Sequence, residues 1–295
     1  MATIGIFDSG SGGLSVYREI RRLLPLEKYI YFADNAFCPY GTKTPAFIRD
    51  RAREITELLV RRGAEIIVVA CNTATAAAIA TLRAEFSDQP SRQLLDWSDG
   101  RQDRIRFIGM EPAVKPAALG TESGVIGVLA TAGTLSASKY LDTKGRFEED
   151  VRIEEHVGEG FVELVESGEL SGPHAEEVVR ESLLPLLEAG ADTIVLGCTH
   201  YPFLLDTLRK VADAFCREKG REPVRFIDPA PAVARQLLNV IDREGIPHGP
   251  VSPVSPASPT SPASPVSPAS DPASTDLTLL SSGLSCVLRD AARLL

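Results

Sequence analysis

The chain has 295 residues, of which 44% are hydrophobic and 24% charged, and its formal net charge is -9. This length favours two domains, and the acidic balance argues against a nucleic-acid surface, which needs a basic face. The longest apolar runs fall far short of the roughly 20 residues that span a bilayer, and the N-terminus lacks the basic and apolar regions of a signal peptide. We therefore expect a cytoplasmic protein with no membrane or nucleic-acid partner.

Five cysteines occur along the chain, in a pattern that predicts neither disulfides nor a metal site. They are Cys38, Cys71, Cys198, Cys216 and Cys286. An odd, sparse set argues against a disulfide framework. There is no Cys-x-x-Cys pair, and the four histidines are scattered, so we expect no bound metal. Each thiol is then either an inert core residue or a reactive group, and we expect Cys38, Cys216 and Cys286 to be inert.

The first third of the chain alternates predicted strands and helices. The predicted elements are a strand over 3–7, a helix from Leu14, a strand over 28–33, a helix over 45–62, a strand ending at Cys71 and a helix from Asn72. The segment 8–13 reads Asp-Ser-Gly-Ser-Gly-Gly and joins the first strand to the first helix. A strand, a glycine-rich turn and a helix in this order form the βα unit of an α/β fold.

A polar, irregular stretch over 87–105 predicts a crossing between two domains. The elements predicted beyond it are strands over 106–110 and 124–130, helices over 159–170 and 174–189, a strand ending at Cys198, a helix over 201–219, a strand over 224–228 and a helix over 231–244. A Ser-Pro repeat over 251–275 cannot bury a core, so we expect a disordered surface insertion. A late strand over 276–280 and a terminal helix ending at Leu295 follow it.

One stretch of the chain is repeated. Gly63, an alanine and an acid lead into an aliphatic run that ends at Cys71, and the same pattern runs from Gly190 to Cys198. The apolar strand predicted over 3–7 also has a counterpart in the strand predicted over 124–130. Each of these strands precedes the repeated cysteine stretch of its own half, which indicates an internal duplication. We therefore predict two similar parallel-sheet α/β domains related by pseudo-twofold symmetry, with the active site in the cleft between them.

Polar side chains and the two repeated thiols fall where predicted strands end. They are Asp8, Ser9, Cys71, Asn72, Thr73, Thr131, Cys198, Thr199 and His200. Because ligands bind at the carboxyl ends of parallel strands, we expect a small site rich in hydrogen-bond donors. The N–H groups at helix starts favour anions, so they can hold a carboxylate and lower a thiol pKa. Two opposed acid/base groups are what inversion at a carbon atom requires, since one removes a proton and the other delivers one to the opposite face.

Four linked motifs resemble those of the bacterial glutamate racemases, cofactor-independent members of the aspartate/glutamate racemase superfamily. The motifs are Asp8-Ser9-Gly10-Ser11-Gly12-Gly13-Leu14, Ala33-Asp34 with Pro39-Tyr40-Gly41, Ala70-Cys71-Asn72-Thr73-Ala74 and Gly197-Cys198-Thr199-His200-Tyr201-Pro202. The resemblance implies interconversion of L- and D-glutamate, which supplies D-glutamate for peptidoglycan. It also implies a homodimer that uses no metal, no pyridoxal phosphate and no other cofactor.

Residue by residue, the resemblance implies Cys71 and Cys198 as the two catalytic bases. Asp8 would assist Cys71, and His200 with Glu166 would assist Cys198. The residues that would hold the substrate are Asp8, Ser9, Tyr40, Gly41, Asn72, Thr73, Thr199 and His200. The chain would cross between domains near residue 98 and return near 207, so that domain one is 1–98 with 208–295 and domain two is 99–207.

Simpler interpretations of these residues stay open. Asp8 can cap the helix that follows it, Tyr40 can be a core residue, and Glu166 can lie on a solvated helix face. An aspartate racemase and a one-thiol decarboxylase of the same superfamily are alternative enzymes. A small-molecule-binding module of periplasmic-binding or flavodoxin-like shape is the alternative from another class, and it predicts glutamate binding without proton exchange at Cα. The glycine-rich turn lacks the Lys-Ser/Thr ending of a phosphate loop.

Overall fold

The computed structural model describes residues 1–88, 104–252 and 277–283. Nearly all of the Ser-Pro repeat, the terminal helix predicted to end at Leu295 and the crossing predicted near residue 98 lie outside these residues. The strands are β1 (Thr3–Asp8), β2 (Lys28–Ala33), β3 (Ile66–Val69), β4 (Arg106–Ile108), β5 (Val125–Ala130), β6 (Arg152–Val157), β7 (Thr193–Gly197), β8 (Arg225–Ile227) and β9 (Leu277–Ser281). The helices are α1 (Leu14–Leu23), α2 (Pro45–Arg61), α3 (Asn72–Phe86), α4 (Val114–Gly120), α5 (Ala132–Leu135), α6 (Ser138–Gly145), α7 (Phe161–Ser167), α8 (Pro173–Glu188), α9 (Leu205–Lys219) and α10 (Ala230–Glu244). Three short 3-10 turns span Asn35–Phe37, Tyr40–Thr42 and Tyr201–Leu204.

The strands form two parallel sheets with matching strand order. The first sheet has the order β4-β3-β1-β2-β9 and the second has the order β6-β5-β7-β8. Read in reverse, the second sheet is β8-β7-β5-β6, so its strands correspond in turn to β4, β3, β1 and β2. This match confirms the predicted pair of similar parallel-sheet α/β domains, in which β3 and β7 are equivalent. Within the described residues, β9 extends the first sheet beyond the shared four strands.

The chain passes from one sheet to the other at later residues than the expected domain boundaries. β4 pairs with β3 in the first sheet, whereas the expected boundary assigns residues from 99 onward to domain two. β8 pairs with β7 in the second sheet, whereas residues from 208 onward were expected in domain one. The reason is that each repeat carries four strands, and its last strand completes the backbone hydrogen bonds of its own sheet. The chain therefore changes sheets between Ile108 and Val125, and again after Ile227.

Helices cover both faces of each sheet, so the central strands are buried on both sides. In the first sheet, α1 and α10 pack on one face and α2 and α3 on the other. In the second sheet, α7, α8 and α9 pack on one face and α4 and α6 on the other. Strands buried on both faces consist of continuous aliphatic runs, and the four residues of β3 are all buried. None of the described helices is both long enough and apolar enough to cross a membrane.

Candidate active site

A small cavity lies where the carboxyl ends of the central strands of both sheets meet. β1 pairs with β3 up to Phe7 and Val69, and β5 pairs with β7 up to Ala130 and Gly197, so the turns that follow these strands lie together. The cavity is lined by Ser9, Pro39, Tyr40, Gly41, Cys71, Asn72, Thr73, Thr131, Val162, Gly197, Cys198, Thr199 and His200. Both repeated thiols line the cavity, and so does every residue predicted to hold the substrate except Asp8. The Asp8 side chain is fully buried beside these residues.

Cys71 lies two residues after β3 and caps the start of α3. Its Sγ accepts a hydrogen bond from the backbone N–H of Ala74 at 3.4 Å and lies 3.9 Å from Ser9 Oγ. The thiol also contacts the Asp8 carboxylate. Burial, followed by the charge of Asp8, raises the pKa of the Cys71 thiol well above its ordinary value. The Cys71 side of the cavity therefore favours the protonated thiol.

Asp8 combines a structural bond with a bond into the site. Its Oδ2 accepts a hydrogen bond from the backbone N–H of Gly13 at 2.7 Å, at the start of α1. The same oxygen accepts a hydrogen bond from the Thr199 hydroxyl at 3.4 Å, across the two sheets. Burial raises the pKa of Asp8, and the charge of His200 opposes this effect in part. The capping role that the sequence left open for Asp8 thus coexists with a position beside Cys71.

His200 lies between Cys198 and Glu166. Its Nδ1 is 3.7 Å from Cys198 Sγ, and its Nε2 is 2.7 Å from Glu166 Oε1. Burial by itself lowers the pKa of His200, but hydrogen bonds with Cys198, Cys38 and Glu166 outweigh burial and raise it well above its ordinary value. The raised pKa favours the positively charged imidazole, which can donate a charge-assisted hydrogen bond to the Cys198 sulfur.

The Glu166 carboxylate is held by the first domain, although Glu166 lies on α7 of the second. Its Oε1 accepts hydrogen bonds from the Ser11 backbone N–H at 2.6 Å and from the Ser11 hydroxyl at 2.9 Å. Its Oε2 accepts a hydrogen bond from the Asn35 side-chain amide at 3.1 Å. Burial raises the pKa of Glu166, but hydrogen bonds with His200 and Ser11 bring it below its ordinary value. A carboxylate held in this way differs from the solvated helix face that the sequence left open.

Two glycines in the turn after β1 permit this close approach. A Cβ atom at Gly10 would lie 2.3 Å from Glu166 Oε1, and one at Gly12 would lie 2.4 Å from His200 Nδ1. Real Cβ contacts essentially never come under 3.0 Å. The glycine-rich turn is therefore explained by the side chains of the second domain that pack against its backbone, and not by a bound phosphate.

Unpaired and hydroxyl groups line another part of the cavity. The Asn72 amide is buried, and neither its oxygen nor its nitrogen has a hydrogen-bond partner among the residues that the structure describes. Thr73 Oγ1 lies 3.0 Å from Thr131 Oγ1, which lies 3.0 Å from Thr134 Oγ1. Buried polar groups are normally paired, so an unpaired amide in a cavity wall marks a place for a polar ligand. Thr134, which the sequence analysis did not single out, is not in the cavity wall and contacts it through Thr73 and Thr131.

Tyr40 is fixed by a buried ion pair. Its hydroxyl donates a hydrogen bond to Asp34 Oδ2 at 2.5 Å, and Arg51 donates to both oxygens of the same carboxylate, at 2.7 and 3.0 Å. Burial raises the pKa of Tyr40, so its hydroxyl stays protonated. Because this hydroxyl is already bonded, Tyr40 offers the cavity its ring and its neighbour Gly41. Tyr40 is thus both a core residue and a cavity residue.

Cys38, which the sequence predicts to be inert, lies beside the site: it is only partly buried and is hydrogen-bonded to His200. Its Sγ and the ligand atoms of Glu166 and His200 lie within 4.8 Å of one another, which is close enough to approach a metal ion. However, Glu166 Oε1 already accepts hydrogen bonds from Ser11 and His200, and these N–H and O–H donors would face the cation. The donor set therefore fits a hydrogen-bond network better than a metal site.

Comparisons with known proteins point to one family. Residues 101–237 match the Asp/Glu/hydantoin racemase family. A glutamate racemase from Pseudomonas putida (strain W619) is 46% identical over 250 residues, which cover 84% of this chain and 85% of that relative. Among solved structures, a glutamate racemase isoform from Bacillus anthracis is 31% identical, with a TM-score of 0.67 and 83% of each chain covered. The Escherichia coli glutamate racemase, solved with L-glutamate and the activator UDP-MurNAc-Ala, is 34% identical, with a TM-score of 0.65 and 86% of each chain covered.

The pair of matching parallel sheets is thus the fold of the racemase class to which these relatives belong. Within that class, the chain belongs to the glutamate racemase family. This confirms the resemblance inferred from the four sequence motifs.

Proposed function

We propose that this protein is an isomerase that interconverts L-glutamate and D-glutamate without a cofactor, with Cys71 and Cys198 as its two acid/base groups. The observation that carries the proposal is the pair of thiols at the ends of the equivalent strands β3 and β7, which line one cavity. The glutamate racemases described above support glutamate as the substrate.

In the proposed reaction, one cysteine acts as a thiolate and removes the Cα proton, leaving the electron pair on carbon. The other cysteine acts as a thiol and delivers its proton to the opposite face of the same carbon. One C–H bond and one S–H bond break, and one of each forms, so the step needs neither an oxidant nor a reductant. The two cysteines exchange protonation states in each turnover, and the reverse direction starts from the exchanged state.

The negative charge left on the substrate requires hydrogen-bond donors around it. We assign this role to the unpaired Asn72 amide, to the hydroxyls of Ser9 and Thr73, and to the backbone N–H groups at the start of α3. Tyr40, Gly41 and Thr199 complete the cavity wall that holds the substrate. A dense set of fixed donors costs no reorganisation at the moment of proton transfer, which is why it lowers the barrier.

The two thiols receive help from unlike groups. Asp8 is buried beside Cys71, and its raised pKa suits a carboxyl group that exchanges a proton with that thiol. His200, held by Glu166, presents a positive charge to Cys198 and can donate a hydrogen bond to its thiolate. We therefore propose that the two proton transfers differ chemically, although they occur at equivalent strand ends.

We further propose that the D-glutamate formed is used for peptidoglycan and that the protein works in the cytoplasm as a homodimer, as its family membership suggests. Restored growth of a bacterial strain that depends on added D-glutamate tests the use of the product for peptidoglycan. Sedimentation at micromolar concentration tests the homodimer, and a purely monomeric protein would contradict it.

The proposed activity is tested by following optical activity after adding each enantiomer of glutamate and of aspartate. We expect glutamate to lose its optical activity from both starting enantiomers, and aspartate to react much more slowly. Faster turnover of aspartate would favour an aspartate racemase, and release of carbon dioxide would favour a decarboxylase. Calorimetric binding of glutamate without racemisation would favour a binding module.

A further inference from the structure

We propose that Ser11 and Asn35 are positioning residues that fix the Glu166–His200 pair beside Cys198. The inference rests on the proposed two-thiol racemisation. Neither Ser11 nor Asn35 lines the cavity. Both residues act on it through the Glu166 carboxylate, so they would touch neither the substrate nor a reacting atom.

The contacts of Glu166 carry the inference. Among the described residues, its carboxylate accepts two hydrogen bonds from Ser11, one from Asn35 and one from His200. The donors on Ser11 and Asn35 belong to the first domain, in the turns after β1 and β2. The second domain, which carries Glu166, contributes the His200 imidazole. The first domain therefore fixes where the Glu166 carboxylate points.

The orientation passes from this carboxylate to the sulfur. Glu166 Oε1 lies 2.7 Å from His200 Nε2, and the opposite ring nitrogen lies 3.7 Å from Cys198 Sγ. A carboxylate bound to one nitrogen of a histidine sets its ring orientation and tautomer, and hence what the other nitrogen can do. Asp8, which assists Cys71, and Ser11, which binds the group that assists Cys198, are three residues apart. A single turn of the first domain therefore serves both thiols. The Cys198 side is complete only where the two domains meet.

Two substitutions test the inference without disturbing the fold. Ser11→Ala removes the hydroxyl donor but keeps the backbone N–H, and Asn35→Asp replaces the amide donor of a half-buried residue by a second carboxylate. Since a hydrogen bond to a charged group contributes about 1.5–3 kcal/mol, we expect kcat to fall about tenfold or more in each variant, with KM nearly unchanged. Ser167→Ala is the matched control, because this exposed serine lies next to Glu166 and donates to the Leu164 carbonyl. It should keep the parent kcat.

The pH profile separates positioning from general damage. The titratable groups that face Glu166 are His200, Cys38 and Tyr31. Donors to a charged carboxylate lower its pKa, so removing them raises it. The acidic limb of the kcat profile should therefore move to higher pH in Ser11→Ala, and further in Asn35→Asp. A purely structural role would lower kcat by the same factor at every pH, and that result would overturn the inference.

Isotope effects locate the damage on one side of the site. With substrate deuterated at Cα, one enantiomer gives its deuteron to Cys198 and the other gives its deuteron to Cys71. If Ser11→Ala slows only the steps at Cys198, the isotope effect on kcat/KM should rise for the first enantiomer and fall for the second. Equal changes for both enantiomers would contradict the inference. Racemisation by the parent protein is measured first, because its absence would refute the proposed function and not the positioning roles.

Discussion

The buried ion pair that fixes Tyr40 gives a sharp test of the energetics around the cavity. Arg51→Met removes the guanidinium but keeps most of the side-chain stem over the Phe37 ring, which the guanidinium carbon approaches to 4.6 Å. The fully buried Asp34 carboxylate then still accepts the hydrogen bond from the Tyr40 hydroxyl, but it loses both hydrogen bonds from Arg51. Breaking a buried pair by removing one partner costs about 3–5 kcal/mol. Since 18% of the Arg51 side chain is exposed, we expect the free energy of unfolding to fall by the lower end of this range, about 3 kcal/mol.

Urea unfolding of three variants measures this value. The matched control is Arg53→Met on the same helix, whose ion pair with Glu85 is more than a third exposed and should contribute less than about 1 kcal/mol. The double variant Asp34→Asn/Arg51→Met removes both charges and should recover about 2 kcal/mol of the loss, because no unpaired charge stays buried. A loss below 1 kcal/mol for Arg51→Met, or equal losses at Arg51 and Arg53, would refute the reasoning.

Three further predictions concern the cavity itself. Asp8→Asn should lower kcat by about 10²-fold or more, because it removes the carboxylate beside the thiol. It should also stabilise the fold at neutral pH: the folded pKa of Asp8 is raised, so its stabilising contribution is present at acidic pH and lost as pH rises. The advantage of Asn in thermal melts should therefore shrink from pH 7 to pH 4, and a constant difference would contradict this. Gly12→Ala should lower kcat about 100-fold by displacing His200, whereas Gly145→Ala, with open space around it, should not. Asn72→Ala should lower kcat/KM about tenfold or more, because it removes a donor to the charge that develops on the substrate, while leaving stability unchanged or higher by about 1 kcal/mol, since the buried amide has no partner among the described residues. A clear loss of stability in Asn72→Ala would show that the amide is paired.

The repeated strand and thiol could be predicted from the sequence because burial on both faces leaves a simple pattern. β3 and the centre of β7 are aliphatic runs, and a cysteine follows each strand within two residues. Strand β6 lies at an edge of the second sheet, carries charged residues and is only partly buried or exposed, so it lacks such a run and was not predicted. The other edge strands, β4, β8 and β9, were predicted, so the charged residues of β6 and not its edge position hid it.

The unequal neighbours of the two thiols could be predicted only in part. The duplication aligns Asp8 in β1 with Ala130 in β5, so the second domain lacks an acid at the equivalent position. Glu166, on a helix, supplies a carboxylate on that side, and the family resemblance led to it. Its bonds with Ser11 and Asn35 join residues far apart in the chain, and they depend on how the two domains pack, which no local pattern encodes.

The central claim is that both Cys71 and Cys198 are needed for inversion at Cα. The most direct measurement is nuclear magnetic resonance of glutamate in D2O, which follows the loss of the Cα–H signal and, with optical activity, the inversion. We predict that Cys71→Ser and Cys198→Ser each slow racemisation by at least about 10²-fold, because each removes one acid/base group. Cys216→Ser, at a buried thiol in α9, should racemise like the parent. Racemisation at the parent rate by either Cys71→Ser or Cys198→Ser would contradict the two-thiol mechanism.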